Sequence, residues 1–175
     1  GGHTALVHVV GYNDYRVVSS TVDDAAGEAF DKVARTLGLP YPGGPQIDRL
    51  STSGKPVFDL PSPLLKNGNL SYSGLKTAVV NLMHNAAQRG EKLPAEDVCA
   101  SFSRAALEPL LSLAEKHLKR LGLKTLALAG GVAANGYLRG RAESLARKNG
   151  FKLFLPEKKL CTDNGAMVAS QGYFL

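Results

Sequence analysis

The sequence predicts an α/β fold in which helices flank a mixed β-sheet. Two β-branched runs, TALVHVV (4–10) and YRVVSST (15–21), are separated by the turn-like GYND and predict a β-hairpin. Further along, the apolar runs KTLALAG (124–130) and KLFLP (152–156) alternate with helical segments. This alternation is typical of parallel strands joined by helices, so the hairpin and these strands together predict a mixed sheet.

One helix is expected directly after the hairpin, in AAGEAFDKVARTLG (25–38). Asp23 or Asp24 is expected as its N-cap, because a carboxylate there accepts a hydrogen bond from an unpaired N–H of the first turn. The helical spacing of the apolar residues predicts one buried face, formed by Ala26, Phe30, Val33, Ala34 and Leu37.

Residues that break regular structure dominate the next segment. LPYPGGP (39–45) predicts a loop, because proline and glycine favour turns. QIDRLSTSG (46–54) predicts a short helix closed by Gly54. Residues 55–72 contain three prolines and show no period, so we expect an irregular stretch there.

Four more helices are predicted from apolar periodicity. Pro109 lies inside the longest of them and is expected either to kink it or to divide it. Thr162 or Asp163 is expected to cap the last one. The four helices span residues 73–88 (entered at Ser73), 93–122, 134–150 and 162–174.

The net charge of +6, with a pI near 9.4, is compatible with contact to nucleic acid. Solvated helix faces explain the same charge, and both interpretations stay open. The densest basic group is formed by Lys116, Lys119, Arg120 and Lys124, followed by Arg139, Arg141, Arg147 and Lys148.

The composition, 44% hydrophobic and 21% charged, is that of a soluble globular chain of one domain, with room for a small appended lobe. Cys99 and Cys161 stand far apart in no metal-binding spacing, which favours free thiols in a cytosolic protein. We find no membrane-spanning run and no signal peptide in the sequence. The first residue is Gly1 rather than Met, so we expect a processed, tagged or partial chain.

The pair Gly130–Gly131 lies where a strand gives way to a helix. Such a turn lets a phosphate or a flat ligand approach the backbone beside the helix N–H groups, but it is also a common plain turn. The segment matches neither of the usual glycine-rich phosphate-binding motifs. Asn135, just beyond, is expected either to cap the helix or to hydrogen-bond a ligand.

At three other places the sequence leaves open both a ligand-binding role and a simpler explanation. Gly1 and Gly2 precede the hairpin and either present N–H groups to a phosphate or are a cloning remnant. In YPGGPQID (41–48), a glycine pair lies near carboxylates that either bind ribose hydroxyls or act as surface caps. Asp163 is either a helix cap or a hard metal ligand.

Six segments together closely resemble the tRNA N6-adenosine threonylcarbamoyltransferase family, which older naming calls glycoproteases or O-sialoglycoprotein endopeptidases. The resemblance covers nearly the whole chain, and DDAAGEAFDK is similar to the bacterial branch rather than the archaeal one. The six segments are GGHT (1–4), DDAAGEAFDK (23–32), YPGGP (41–45), YSGLKT (72–77), AGGVAANGYLR (129–139) and CTDNGAM (161–167).

The resemblance implies the actin-like ATPase fold, in which two RNase H-like lobes, each a mixed sheet with flanking helices, close on a nucleotide. Residues 1–175 would then be the second, C-terminal lobe, with a helical insertion around residues 55–120. The family's first lobe carries an HxxxH motif whose histidines bind a metal. This sequence has neither that lobe nor that motif, so we expect the chain to be inactive alone.

The resemblance also implies roles for single residues, matched position by position. Gly1 and Gly2 would lie on the phosphate side of the substrate, and Asn135 on the adenine side. Asp163 would be a ligand of one divalent metal ion, iron or zinc, whose two histidine ligands are missing from this chain. The remaining nucleotide contacts would be Asp31, Gly44 and Asp48, with the two carboxylates near the ribose. The catalytic residues are unknown.

The reaction implied is transfer of threonylcarbamoyl from threonylcarbamoyl-AMP to N6 of the adenosine beside the tRNA anticodon. The implied partners are tRNA, an inactive paralogue subunit and a small ATPase subunit, in the cytoplasm and away from membranes. One alternative is a non-catalytic nucleotide-binding scaffold, which we expect to have lost Asp163 or the glycine loops. The other is the metalloprotease of the older name, for which His3, His8, His84 and His117 give no suitable spacing.

Overall fold

The computed structural model describes residues 2–174. Strands and helices follow one another along the chain. The hairpin, the helices and the later strands of the predicted α/β fold are all present. In chain order the elements are β1 (Ala5–Gly11), β2 (Asp14–Ser20), α1 (Ala26–Thr36), α2 (Gly43–Ser51), α3 (Ser73–Gln88), α4 (Ala95–Leu121), β3 (Thr125–Ala127), α5 (Gly136–Asn149), β4 (Lys152–Phe154) and α6 (Gly165–Phe174). Short 3-10 turns lie at Gly131–Ala134 and Lys158–Leu160.

The strands form two separate two-stranded sheets, which corrects the prediction of a single mixed sheet. β1 and β2 pair antiparallel, whereas β3 and β4 pair parallel. β3 and β4 have three residues each and are shorter than their apolar runs, because pairing covers only Thr125–Lys152, Leu126–Leu153 and Ala127–Phe154. Strand length here follows the paired register rather than the length of the apolar run.

α1 buries the face that the sequence predicts, but its N-cap differs from the prediction. Ala26, Phe30, Val33 and Ala34 are buried, and Leu37 packs partly buried against the same core. The N-cap is Ala25, with no side-chain hydrogen bond, so neither Asp23 nor Asp24 caps this helix. Asp23 instead bonds the segment before α3, and Asp24 pairs with Lys32 of α1 and Lys76 of α3.

α2 begins earlier than the sequence predicts. The loop predicted at residues 39–45 ends before Gly43, and the glycine pair forms the first turn of the helix. At the other end the helix stops at Ser51, so Gly54 does not close it. Gly54 instead packs against the backbone carbonyl of Glu96, where a β-carbon would collide. This glycine is explained by close approach of two segments.

α3 and α4 match their predicted spans and supply much of the core. Pro109 lies inside α4 and does not divide it, because the helix continues on both sides. Buried side chains of α1, α3 and α4 meet in one cluster, where the rings of Phe30 and Phe102 pack edge to face with centroids 4.8 Å apart. The segment predicted as a helical insertion therefore packs into the same core as α1.

The last helix is capped by a residue other than the two predicted. The side-chain oxygen of Asn164 accepts a hydrogen bond from the N–H of Met167 at 3.0 Å, in the manner of an N-cap. Thr162 and Asp163 precede this cap, so neither fills the role. Over residues 2–174, no helix has the length and apolar content needed to cross a membrane.

Candidate functional site

The N-terminal ends of α1 and α5 meet beside the start of the hairpin. The N–H of Ala26 at the start of α1 donates to Thr4 Oγ1 at 2.9 Å, which ties the chain's first described residues to this helix end. Val132, in the turn before α5, lies so close to Gly27 that a β-carbon there would stand 3.4 Å from its Cγ2 atom. The turn before α5 thus packs directly against the first turn of α1.

Asp31 joins α1 to the start of α2. Its Oδ1 atom accepts hydrogen bonds from the N–H groups of Gly43 at 2.8 Å and Gly44 at 3.2 Å. A β-carbon on Gly43 would overlap that of Ala34, so only glycine allows this approach. The Asp31 carboxylate thereby satisfies two N–H groups that a helix start leaves unpaired.

Asp48 joins α2 to the start of α5, 88 positions along the chain. Both of its carboxylate oxygens lie 2.9 Å from the N–H of Gly136. Asn135 acts beside it as the N-cap of α5, with its Oδ1 atom accepting from the N–H of Leu138 at 2.9 Å. The capping role considered for Asn135 is thus confirmed, and the side chain is buried.

Glycines leave open space around this junction. Gly130 adopts φ of +85°, which strongly favours glycine. No atom lies within 4 Å of the position that a β-carbon on Gly130 or Gly131 would take. On Gly44 the nearest neighbour of such a carbon is Phe30 Cβ, at 4.0 Å. The backbone is therefore bare on both sides of the carboxylates, which is what a flat or anionic ligand requires.

The junction combines charges that suit a nucleotide. Helix N-termini carry partial positive charge, which favours a nearby anion even though the N–H groups of Ala26, Gly43 and Gly136 are already bonded within the chain. The carboxylates of Asp31 and Asp48 retain lone pairs that can accept hydrogen bonds from hydroxyl groups. An anion with hydroxyl groups and a flat ring fits such a set of donors, acceptors and bare backbone.

Four of the predicted site residues come together here. Asp31, Gly44, Asp48 and Asn135 belong to the junction, and Gly2 lies two residues before Thr4, whose hydroxyl accepts from the start of α1. Gly1 lies outside the described residues. Asp163 is exposed, in the segment before α6, and accepts no hydrogen bond from a described residue.

Asp163 alone does not make a metal site. Within residues 2–174, no group of three or more histidine, cysteine, aspartate or glutamate side chains is arranged to hold a metal ion. Structural and catalytic metal sites need at least three such ligands from protein. The residues described here do not fit a bound iron or zinc ion without further ligands.

Asp23 and Asp24 join α1 to α3, a role that the sequence pattern does not predict. Asp23 accepts hydrogen bonds from the hydroxyls of Ser71 and Ser73 and from the N–H of Tyr72. Burial raises the pKa of Asp23, but these hydrogen bonds outweigh burial and hold the pKa below its ordinary value. Asp23 and Asp24 lie in the segment DDAAGEAFDK and Ser73 lies in YSGLKT, but no spacing within either segment indicates that they meet.

Asp24 is held by two lysines. Its carboxylate lies 2.7 Å from Lys32 Nζ and 3.4 Å from Lys76 Nζ. The hydrogen bond from Lys32 is the main cause that lowers the pKa of Asp24. Lys76 and Lys32 belong to the segments YSGLKT and DDAAGEAFDK, so these segments are structurally coupled to each other.

Cys99 is a poor nucleophile. It is fully buried in α4, and burial, followed by the nearby charge of Glu96, raises the pKa of its thiol to about 11. Thiolate is the reactive form of cysteine, so the Cys99 side chain does not suit covalent catalysis. Cys161 is also buried and forms no disulfide.

Comparison with known proteins identifies one family. The family model described as tRNA N6-adenosine threonylcarbamoyltransferase matches residues 1–170. A protein of that name from Dictyoglomus turgidum is 48% identical over 100% of this chain and 53% of its own length. Its namesake from Bacillus subtilis (strain 168) is 48% identical over 98% of this chain and 51% of its own length. The chain spans about half the length of the curated relatives it matches.

Solved structures share the fold at low sequence identity. The crystal structure of T.kodakarensis HypF gives a TM-score of 0.61 at 18% identity, over 93% of this chain and 21% of that one. Full-length HypF in a phosphate- and nucleotide-bound form gives 0.62 at 20% identity, over 85% of this chain and 20% of that one. At such identities the likeness concerns the fold alone.

Proposed function

The chain belongs to the tRNA N6-adenosine threonylcarbamoyltransferase family, and we propose that it is the lobe of such an enzyme that holds threonylcarbamoyl-AMP. The complete enzyme would transfer the threonylcarbamoyl group to N6 of the adenosine next to the tRNA anticodon. The observation that carries the proposal is the junction in which Asp31, Asp48 and Asn135 connect helix N-termini beside bare glycines.

In this proposal the ribose lies between the two carboxylates. Asp31 Oδ2 accepts no hydrogen bond from a described residue, so a ribose hydroxyl can donate to it. Both oxygens of Asp48 share a single N–H and keep lone pairs for the second hydroxyl. Carboxylates are the usual partners of ribose hydroxyls in nucleotide sites.

The adenine and the phosphate would occupy the two open sides of the junction. Gly130 and Gly131 leave room for a flat ring against the backbone next to Asn135. The opposite side is bounded by Gly2 and the start of α1, and the role of Gly1 and Gly2 there remains a prediction. A helix start with glycines before it is a common place for a phosphate.

The transfer needs alignment rather than a covalent intermediate. The N6 nitrogen attacks the carbamoyl carbon, a C–N bond forms, the C–O bond to the phosphate breaks, and AMP leaves with the electron pair while the N6 proton passes to solvent. Holding both substrates in line can lower the barrier by about 7–11 kcal/mol. The buried Cys99, with its raised pKa, agrees with a mechanism without a thiol nucleophile.

We assign Asp163 as one ligand of a divalent metal ion, iron or zinc, in the complete enzyme. Because the described residues offer no further ligands near it, the other donors would have to come from outside this chain. No step of the transfer above depends on that ion. We expect this chain to be inactive alone because the HxxxH motif that binds the metal in the family does not occur in its sequence.

The wider setting follows from the family. The lobe would have the actin-like ATPase fold and act in the cytoplasm, where tRNA is modified. An inactive paralogue and a small ATPase would complete the modification complex. What supports the fold is the parallel pair β3–β4 with a helix start at the end of β3, since ligands bind at the carboxyl ends of parallel strands.

Calorimetric titration of the purified chain with AMP tests this proposal. We expect weak binding by the wild-type chain and none by Asp48→Asn, which keeps an acceptor for the Gly136 N–H but loses the charge facing the ribose. Asp59→Asn is the matched control, because Asp59 is an exposed carboxylate in the irregular segment after α2 and takes part in none of the hydrogen bonds of the junction. Equal AMP affinity in the two variants would contradict the proposal. Threonylcarbamoyl transfer catalysed by the chain alone would contradict only the expectation that it is inactive alone.

A further inference from the structure

One end of the molecule gathers basic residues from four different elements. α4 and α5 both end there, and β3 and β4 both begin there. The N–H of Lys152 donates to the carbonyl of Lys124 at 2.7 Å, so these two residues are neighbours across the sheet. We call this group the basic end, and its members are Lys116, Arg120, Lys124, Arg147, Lys148 and Lys152.

The six side chains are exposed, and none of them forms an ion pair with a described residue. The acidic groups at this end are Glu115, which pairs with Lys119 at 2.6 Å, and Glu143. Elsewhere several cations are neutralised by carboxylates, as Arg141 is by Glu108. The basic end therefore carries a net positive charge that the protein itself does not compensate.

The positive charge of the basic end also affects the pKa of His117. It lies on α4 between Lys116 and Arg120, and its Nδ1 atom is 3.0 Å from an Arg120 guanidinium nitrogen. Burial lowers the pKa of His117, and the charges of Arg120 and Lys116 lower it further. The protonated, positively charged form of His117 is thus disfavoured, as expected at a surface whose positive charge attracts anions.

Helix stability explains only part of this cluster. Basic residues in the last turn of a helix interact favourably with its dipole, which accounts for Arg120, Arg147 and Lys148. Lys124 and Lys152 lie at the starts of strands, where no such dipole acts. Their exposure next to the other cations needs a different reason.

The cluster continues along the outer edge of β4. Lys152 Nζ lies 4.7 Å from the centroid of the Phe154 ring, which is itself 49% exposed. An open depression of about 850 Å³ lies alongside and is lined by Arg147, Phe151 and Lys152 among others. Cations combined with exposed aromatic surface are typical of sites that bind RNA.

We propose that the basic end binds the sugar–phosphate backbone of the tRNA substrate. This inference rests on the proposed function for the presence of tRNA, but the surface lies apart from the adenylate junction. Lys124 and Gly130 are six residues apart, so the basic end and the junction are separated by at most about 21 Å along β3. A polyanion as large as tRNA can contact the basic end while one of its bases reaches the junction.

Two variants with equal net charge test the surface. The first is K124Q/R147Q/K148Q/K152Q, at the basic end. The control, R35Q/K55Q/K66Q/K92Q, removes four exposed cations from other elements. Each variant lowers the net charge from +6 by four, to +2. Any difference in binding between them therefore reports position rather than total charge.

Anisotropy of fluorescently labelled tRNA, measured at several salt concentrations, gives the affinity and its salt slope. We expect the first variant to bind tRNA at least about tenfold more weakly at low salt, with a slope reduced by about 3, since each lost phosphate contact removes roughly 0.7–0.9. The control should stay within about twofold of wild type, a factor that corresponds to loss of overall charge alone.

Two outcomes would overturn the inference. These are equal weakening in the two variants and no measurable tRNA binding by the wild-type chain. AMP titration of the same variants separates this inference from the proposed function. Normal AMP binding without a tRNA effect would reject the basic end alone, and absent AMP binding in the wild type would reject the nucleotide site.

Discussion

The core around α1 and α4 and the surface formed by the hairpin and α6 differ in how their apolar side chains are covered. Phe102 and Val98 of α4 are fully buried. By contrast, Val17 of the hairpin is 66% exposed and Val168 of α6 is 71% exposed. Among its described side chains α6 has no buried residue. The two regions thus contribute very differently to the stability of this chain.

The same difference separates the candidate site residues. Asp31, Asp48 and Asn135 stand on helices anchored in the core, and their hydrogen bonds hold the junction together without any ligand. Asp163 stands before the exposed α6 and is held by no described side chain. Nucleotide binding is therefore the property we expect this chain to keep alone, whereas metal binding is not.

Replacing a central core residue should give the largest effect. Phe102→Ala removes a ring that is fully buried against Phe30, and we expect a loss of about 3–5 kcal/mol in the free energy of unfolding from the lost contacts and the cavity. Urea unfolding followed by circular dichroism measures it. A loss below about 1 kcal/mol would mean that the core relaxes around the cavity.

Gly43 and Gly44, at the start of α2, should respond differently to the same substitution. Gly43→Ala should cost about 1–3 kcal/mol, because the new β-carbon overlaps that of Ala34 and forces the helix start away from Asp31. Gly44→Ala is the matched control, since its β-carbon meets no atom closer than 4.0 Å. Equal thermal melting points for the two variants would contradict the close packing of α1 on α2.

Local sequence predicted the elements better than their partners. Helical patterns and end signals in the sequence located the helices α1 to α6 of the described residues, and α4 continues through Pro109. The single mixed sheet was wrong, because strand pairing between distant segments is not encoded in either segment alone. The start of α2 at Gly43 was missed for the same reason, since Asp31 stabilises it from another helix.

The sequence predicted which residues belong to the candidate site, but not which groups they hydrogen-bond. The sequence left Asn135 as a cap or a ligand contact, and its hydrogen bond to Leu138 confirms the cap while leaving the amide nitrogen to be tested. Asp48 reaches Gly136 across the chain, which no spacing rule anticipates. Likewise Asp23 was expected to cap α1 and instead bonds the segment before α3, because a short carboxylate reaches whichever N–H groups folding brings near.

Acid should weaken the link between α1 and α3. The pKa of Asp23 in the folded chain lies below its ordinary value of 3.8, so its carboxylate stabilises the fold above that pH. This stabilisation is lost as the pH falls from about 4 through the folded-state pKa. Melting temperatures measured from pH 7 to pH 2 should drop less steeply for Asp23→Asn than for Asp59→Asn. Parallel curves for these two variants would mean that Asp23 does not contribute.

Substitution in α6 should give the smallest effect. It tests whether the exposed side chains of α6 contribute to stability. Val168→Ala removes methyl groups that are mostly in contact with water, so we expect a change within about 0.5 kcal/mol in the free energy of unfolding. The same substitution at the fully buried Val98 should cost several times more, because it leaves a cavity. Similar losses at both positions would show that α6 buries its apolar face in solution, for instance between two copies of the chain. In that case the loss at Val168 should depend on protein concentration and the loss at Val98 should not, because only association is concentration-dependent.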